Sequence, residues 1–211
     1  MTNHTPLAGR GLYAITNGPR ADLLDAVAQA LAGGARLLQY LDQDTDPVRH
    51  HAEATAILRL CRAHAVPLII HQDFALARAI DADGVHLAYS VDDIVAARAC
   101  LGPAAIVGVA CRDSLENARD AARAGANYVS FGAMFPSPTR PLAGIAPLEL
   151  LRQSAAFGVA RVAIGGITPD NAHLLIEAGA DYVASISSLF GATDVRHAAQ
   201  RFAQLFLQPS H

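Results

Sequence analysis

In the stretch Ala124-Gly125-Ala126-Asn127-Tyr128-Val129-Ser130-Phe131, the end of a helical segment leads directly into an apolar run, and this pattern decides the fold. Variants of it occur three more times, in residues 32–40, 82–87 and 178–185. Glycine is favoured just past a helix end because the left-handed backbone found there penalises a Cβ atom. Each copy therefore predicts a helix that ends near the glycine and a strand that follows at once.

Eight short apolar runs alternate with eight helical segments along the chain. Such runs are typical of parallel strands that are buried on both faces. The predicted strands are residues 11–16, 37–40, 67–70, 85–87, 106–109, 128–131, 162–164 and 182–185, and the predicted helices are 23–31, 50–64, 75–80, 94–101, 115–124, 147–157, 171–178 and 195–207.

The alternation of strands and helices predicts an α/β fold. An open doubly wound sheet is the competing architecture, but eight regular units without a G-x-G-x-x-G motif favour a closed (β/α)₈ TIM barrel. We expect a single domain over residues 1–211, with residues 1–10 and 208–211 as flexible termini.

The composition argues against several classes of function. A net charge of −3 argues against a nucleic-acid partner, and no segment indicates a membrane partner. All 16 basic residues are arginine, which excludes chemistry that needs a lysine amine. The polar N-terminus and three widely spaced cysteines predict a cytoplasmic location with reduced thiols. We expect His50 and His51 to be exposed on the second helix.

The loops after strands 7 and 8 have the composition of a phosphate site. They read Ala-Ile-Gly-Gly-Ile-Thr in residues 163–168 and Ala-Ser-Ile-Ser-Ser in residues 184–188. In (β/α)₈ barrels these two loops often hold a phosphate group. Backbone N–H groups at Gly165 and Gly166 can approach an anion closely, and Ser187 adds a hydroxyl donor. The alternative is a tight turn whose serines bind nearby backbone groups.

The loop after strand 6 predicts a second anion site at the same end of the barrel. It reads Phe-Pro-Ser-Pro-Thr-Arg-Pro in residues 135–141 and carries Ser137, Thr139 and Arg140. The guanidinium group presents a planar fork that suits phosphate oxygens. An ordinary proline-rich surface loop is the alternative.

The chain resembles the thiamine-phosphate synthases and the related thiazole tautomerases over nearly its whole length. The resemblance is carried by residues 11–16, 37–40, 136–141 and 164–171. It implies a transferase of thiamine biosynthesis that joins hydroxymethylpyrimidine diphosphate to thiazole phosphate and releases diphosphate, with Mg²⁺ as cofactor. It also implies thiazole phosphate or thiamine phosphate as ligand. A homo-oligomer is compatible with it, since members of the family are often dimers or trimers.

Several positions match the family's binding residues. Those for thiazole phosphate are Gly165, Gly166, Ile186 and Ser187, and those for diphosphate are Ser137, Thr139 and Arg140. After strand 2, Gln39 and Asp42 remain, while Leu41 and Gln43 replace two cations of the family.

The expected Mg²⁺ ligands are reduced in number. His71-Gln72-Asp73 stands where the family has Asn-Asp-Asp, and Ala88-Tyr89-Ser90-Val91 replaces Gly-Gln/Glu-x-Asp. Asp73, joined by Asp92 if that residue shifts inward, is then left to bind Mg²⁺. We expect this binding to be weak or lost, and the synthase activity to be reduced or altered.

The predicted strand ends also carry new groups that depart from the family pattern: His71, Gln72, Tyr89, Cys111 and Arg112. We take Gln39, His71 and Arg140 as candidate catalytic residues, and Tyr40, Asp42, Tyr89 and Arg112 as candidate substrate ligands. One alternative function is a non-catalytic or regulatory binder of thiazole phosphate or thiamine phosphate. Another is a tautomerase-like isomerase that uses His71, because Ala133 stands where the tautomerases have their histidine. For His86, a packing role and a ligand role remain open.

Overall fold

A computed structural model describes residues 7, 9–42, 44, 46–137 and 144–207. Eight parallel strands pair in sequence order, and the last pairs with the first, so the sheet closes into a barrel. The strands are β1 (Gly11–Ile15), β2 (Ala35–Tyr40), β3 (Leu68–His71), β4 (Gly84–Ala88), β5 (Ile106–Arg112), β6 (Tyr128–Phe131), β7 (Ala160–Ile164) and β8 (Tyr182–Ser185). The predicted (β/α)₈ TIM barrel is therefore confirmed.

Helices follow the strands and surround the barrel. In the described residues they are α1 (Leu23–Ala32), α2 (Pro47–Ala63), α3 (Phe74–Ile80), α4 (Val91–Leu101), α5 (Leu115–Ala124), α6 (Glu149–Gln153), α7 (Ala172–Glu177), α8 (Ser187–Phe190) and α9 (Val195–Leu205). The predicted helix 147–157 is divided into α6 and a 3₁₀ turn, Ser154–Phe157, and α8 was not predicted. Within the described part of the chain, no helix is long and apolar enough to cross a membrane.

The proposed flexibility of residues 1–10 and 208–211 concerns termini that lie largely outside the described residues. It stays a prediction, as does the extent of a single domain over all 211 residues.

Local signals set the helix ends. Asp46 caps α2 by accepting hydrogen bonds from the N–H groups of Val48 and Arg49, and Ser90 and Ser114 cap α4 and α5 in the same way. Gly125 follows α5 with φ +105°, the left-handed conformation expected from the sequence pattern. The chain then enters β6 within three residues.

The side chains of the strands pack in two layers, one outside the barrel sheet and one inside it. Outward-facing residues of the strands pack against the helices, and the inward-facing ones form a separate interior cluster. Buried members of the interior cluster are Tyr13, Ile15, Leu37, Ile69, Tyr128, Ala160, Val162, Tyr182 and Ala184. The interior is thus a packed core, and a ligand must bind above it at the carboxyl ends of the strands.

The ring of Tyr128 lies across β5, and only glycine leaves room for it there. A Cβ atom at Gly108 would overlap the ring. We expect Gly108→Ala to lower the free energy of unfolding by at least about 1–3 kcal/mol, the usual cost of overpacking a core. Urea unfolding followed by circular dichroism measures the change. Gly144→Ala is the matched control, because its Cβ atom would meet nothing within 4 Å; equal stability of the two variants would contradict the packing argument.

Candidate active site

Five inward-facing side chains form a continuous run of hydrogen bonds, which we call the inner chain: Tyr13, Gln39, His71, His86 and Tyr128. The Tyr13 hydroxyl lies 2.7 Å from Gln39 Oε1 and 2.7 Å from the Tyr128 hydroxyl. Gln39 Nε2 lies 3.0 Å from His71 Nδ1, and His86 Nδ1 lies 3.0 Å from the Tyr128 hydroxyl. The inner chain therefore joins five strands through polar groups inside the barrel.

Burial keeps the inner chain uncharged. It lowers the pKa of His71, and burial together with the neighbouring His71 lowers the pKa of His86 to about 3. Burial, and then the neighbouring Tyr128, raise the pKa of Tyr13 well above its usual value, and burial raises the pKa of Tyr128. At neutral pH the site therefore presents neutral imidazoles and neutral hydroxyls.

The structure brings the predicted residues Gln39 and His71 into direct contact, while the polar groups of Tyr40 and Asp42 bond to α2. Tyr40 packs with the outer layer and donates to Glu53 of α2 over 2.7 Å. The side chain of Asp42 is fully buried and lies 2.8 Å from Arg49, also on α2. Both predicted ligands are thus engaged with a helix outside the barrel.

A small pocket connects these residues to His71. It is lined by Tyr40, Asp42, His50, Ile70, His71, Asp73 and Leu76. Nε2 of His50 is buried, lies 3.9 Å from Asp42 Oδ1 and has no hydrogen-bond partner in the described residues. The prediction that His50 is exposed was therefore wrong, while His51 is exposed as expected. The position of His50 beside Arg49 on α2, facing the loop after β2, is the signal that could have revealed it.

The described residues do not fit a preformed Mg²⁺ site. Asp73 is the cap of α3, where one carboxylate oxygen accepts a hydrogen bond of 2.8 Å from the Leu76 N–H. Asp92 is exposed in the first turn of α4. In the part of the chain that the structure describes, no three His, Cys, Asp or Glu residues are grouped as a metal site would need.

The other new residues lie at the rim or outside it. Tyr89 packs against the outer core, and the buried Cys111 thiol faces Val109 O at 3.6 Å, with burial raising its pKa to about 12. Arg112 is exposed at the end of β5, where a β-bulge shifts the register. Its φ of +55° is unusual for a residue with a side chain, and such backbone strain clusters at functional sites.

The loops after β6 and β7 are in close backbone contact. Gly165 O accepts a hydrogen bond of 3.0 Å from the Phe135 N–H. Gly166 has φ +65°, and a Cβ atom there would overlap the carbonyl oxygens of Phe135 and Pro136. A glycine is therefore needed for this approach.

The predicted anion residues lie around these loops. Ser187 is exposed at the start of α8, directly after Ile186, and Ser137 is partly buried after β6. Thr139 and Arg140 lie outside the described residues, so their assigned roles stay predictions.

The carboxyl ends of the strands present two kinds of group to a ligand. His71 and Gln39 provide polar contacts, and Ile164 and Ile186 are apolar residues of the barrel interior that lie partly exposed at its upper end. Glycine backbone and hydroxyl groups follow β7 and β8. Polar groups that fix orientation beside apolar walls are typical of small-molecule sites.

Asp42 links the loop after β2 to α2, and this link depends on its charge. Burial alone would raise the pKa of the Asp42 carboxyl, but hydrogen bonds from Arg49 and from the Asp44 N–H lower it below its usual value. A lowered pKa stabilises the fold above about pH 4, and the contribution is lost as the pH falls through the lowered value. We expect Asp42→Asn to cost about 1–2 kcal/mol at pH 7 and less near pH 3.

Urea unfolding at the two pH values tests this expectation. Asp44→Asn is the control, because Asp44 also pairs with Arg49 but its side chain is 47% exposed, so its effect should stay below about 1 kcal/mol. A loss for Asp42→Asn that is the same at both pH values would contradict a charge-dependent link.

Comparison with known proteins identifies the family. The family model for thiamine monophosphate synthase matches residues 12–189. Thiamine-phosphate synthase of Chromobacterium violaceum is 50% identical over 93% of this chain and 96% of its own, and that of Methylobacillus flagellatus is 48% identical over 98% and 100%. The solved thiamine phosphate pyrophosphorylase of Pyrococcus furiosus has a TM-score of 0.82 and 32% identity, covering 92% of this chain and 94% of that one. The chain therefore belongs to the thiamine-phosphate synthase family.

Proposed function

We propose that this protein is a thiamine-phosphate synthase-like transferase that joins hydroxymethylpyrimidine diphosphate and thiazole phosphate in thiamine biosynthesis, with reduced or altered activity. The observation that carries the proposal is the nearly full-length similarity to curated thiamine-phosphate synthases. The residues at the carboxyl ends of the strands support it, because polar side chains stand near the ends of β2 and β3, and glycine and serine residues follow β7 and β8. We further propose that the protein acts in the cytoplasm and that it forms a homo-oligomer.

In this proposal the loops after β7 and β8 hold the phosphate of the thiazole. Gly165 and Gly166 let backbone N–H groups approach the phosphate oxygens, and Ser187 donates from its hydroxyl group. Ile186 lies beside the ring. Backbone donors need no side-chain charge, which suits a chain without lysine.

The other half of the site holds the pyrimidine diphosphate. The bond between the pyrimidine methyl carbon and the diphosphate oxygen breaks, and the thiazole nitrogen forms the new bond to that carbon. Gln39 and His71 orient the pyrimidine ring. Ser137, Thr139, Arg140 and Arg112 stabilise the departing diphosphate, since groups aimed at developing charge contribute most to such a step.

Mg²⁺ binds weakly or not at all in this proposal. Asp73 already caps α3, and the described residues provide no group of ligands around it. Neutralisation of the diphosphate then falls to arginine and hydroxyl donors. We expect a slower reaction, because losing one preorganised donor typically costs roughly 10²–10³ in turnover.

A second candidate function is a non-catalytic or regulatory binder of thiazole phosphate or thiamine phosphate. The observation in its favour is that the loop after β2 is tied to α2 through Asp42 and Arg49, so its carboxylate is not presented to a ligand. In this candidate the phosphate half of the site binds its ligand, and no transfer reaction takes place.

A calorimetric titration with thiazole phosphate, followed by a coupled turnover assay with hydroxymethylpyrimidine diphosphate, tests the two candidates. We expect binding, and formation of thiamine phosphate at a rate roughly 10²-fold or more below that of the Chromobacterium violaceum enzyme. Added Mg²⁺ should raise the rate only weakly. Binding without turnover selects the second candidate.

The control for this experiment is Ser187→Asp, which should abolish thiazole phosphate binding because it places a negative charge beside the phosphate. Unchanged affinity of this variant would contradict the assigned phosphate site. Absence of binding to the unmodified protein would contradict both candidates.

Arg112 gives a separate prediction that does not need turnover. It is exposed at the barrel mouth and makes no ion pair within the described part of the chain. We expect Arg112→Gln to weaken binding of inorganic diphosphate about tenfold, which equals about 1.4 kcal/mol. Calorimetry measures the affinity.

The matched control is Arg123→Gln, which removes the same charge from the last turn of α5, near the opposite end of the barrel. We expect it to leave the affinity within about twofold of the unmodified value. Equal losses in the two variants would indicate a general charge effect and would exclude a specific role for Arg112.

A further inference from the structure

The hydrogen bonds of the inner chain determine which nitrogen of each imidazole carries the proton. Oε1 of Gln39 faces the Tyr13 hydroxyl, so Nε2 of the same amide faces His71. An amide nitrogen only donates and an amide oxygen only accepts. Gln39 therefore donates to Nδ1 of His71, and Tyr13 donates to Gln39.

The remaining protons follow from this assignment. A tyrosine hydroxyl has one proton, and that of Tyr13 is already given to Gln39. Tyr128 must then donate to Tyr13 across their 2.7 Å contact. Because the only proton of the Tyr128 hydroxyl is then given to Tyr13, Tyr128 can only accept from His86. Nδ1 of His86 therefore carries a proton. All four hydrogen bonds run in one direction, from His86 to His71.

The two ends of the inner chain thus differ. Neutral His71 accepts at Nδ1, so its proton is on Nε2, and neutral His86 donates at Nδ1, so its Nε2 has the lone pair. The two rings are stacked, with centroids 6.4 Å apart and planes 22° apart. At Nε2, His71 is therefore a hydrogen-bond donor and its neighbour His86 is an acceptor.

We propose that Tyr13, Tyr128 and His86 are positioning residues that hold His71 as a hydrogen-bond donor toward the ligand in the barrel mouth. The ligand then presents an acceptor atom, such as a ring nitrogen, to Nε2 of His71. A role for His71 as a proton-abstracting base at Nε2 is excluded, because that nitrogen already carries a proton. Only the location of the ligand in this inference rests on the proposed function; the tautomers follow from the hydrogen bonds.

Reversal of the inner chain would require rotation of the Gln39 amide by half a turn and a shift of every proton. Gln39 is 1% exposed, and Tyr13 and Tyr128 are buried as completely. An intermediate with a single reversed bond would leave two donors or two acceptors facing each other inside the barrel, which is costly where water cannot reach. The chain of bonds therefore holds one direction as a unit.

Long-range ¹H–¹⁵N correlation spectra of the free, full-length protein with labelled histidine read the two tautomers directly. We expect His71 with its proton on Nε2 and His86 with its proton on Nδ1. His71→Gln and His86→Gln identify the two sets of signals among the nine histidines. The opposite tautomer at either residue would overturn the inference, whatever the activity of the protein.

Tyr13→Phe removes the hydroxyl group that joins Tyr128 to Gln39 in the inner chain. Without an acceptor at Tyr13, Tyr128 is free to donate to Nδ1 of His86, so we expect the His86 proton to move to Nε2 in at least half of the molecules. Tyr182→Phe is the matched control, since Tyr182 is also a buried tyrosine of the interior cluster but is not part of the inner chain; its spectrum should keep the original tautomers.

Unchanged tautomers of both His71 and His86 in a folded Tyr13→Phe protein would overturn the positioning role, because Tyr13 acts on His71 through Gln39. Circular dichroism establishes folding. If Tyr13→Phe does not fold, Tyr128→Phe replaces it: His86 then has no tyrosine to donate to, and retention of the pure Nδ1 tautomer would equally contradict the inference.

Discussion

A closed barrel of eight strands has to fill its interior with the side chains that point inward, and every other feature of the site depends on this constraint. Here three tyrosines and two histidines are among those side chains. Their apolar rings fill the volume, but their polar atoms must be paired because water is excluded. The inner chain is the solution for two of these tyrosines and both histidines: the hydroxyl groups of Tyr13 and Tyr128 and the Nδ1 atoms of His71 and His86 each find a partner on another strand. Space for it comes from Gly108, which leaves room for the Tyr128 ring.

Outside the barrel, the loop after β2 shows how a buried carboxylate is held by charged partners on a helix. The family pattern to which the sequence was compared has two cations in this loop, on either side of an acidic residue. Here the cations are absent, and the carboxylate of Asp42 is neutralised by Arg49, which also contacts Asp44 and Glu53. A buried carboxylate needs such a partner. The ion pairs therefore strengthen the link between loop and helix and withdraw negative charge from the mouth.

The fold was predictable from sequence because the apolar runs repeat eight times and glycine at a helix end precedes four of them, and both signals are local. The site was predictable only in part. Gln39 and His71, both predicted as catalytic residues, lie in contact because they stand near the carboxyl ends of neighbouring strands. Tyr40 and Asp42 were assigned to the mouth, although alternation along β2 turns Tyr40 outward when Gln39 points inward. In strands that are buried on both faces this alternation is not visible in the hydrophobic pattern. Tyr13 and Tyr128 were missed as site residues for the same reason, although polar atoms within otherwise apolar strands were the signal.

The two halves of the proposed site recognise anions through different groups, backbone N–H groups in one half and side chains in the other. Backbone N–H groups after β7 and β8 remain when side chains change, provided that glycine keeps the close approach to Phe135 and Pro136. Recognition of a diphosphate through cations and metal ligands depends on individual side chains, and each substitution removes a complete charge. A sequence can therefore lose the second kind of recognition one residue at a time while the barrel, the inner chain and the first kind stay intact. In the proposed site, Arg112 lies on a strained backbone at the rim and supplies positive charge that the loop after β2 does not.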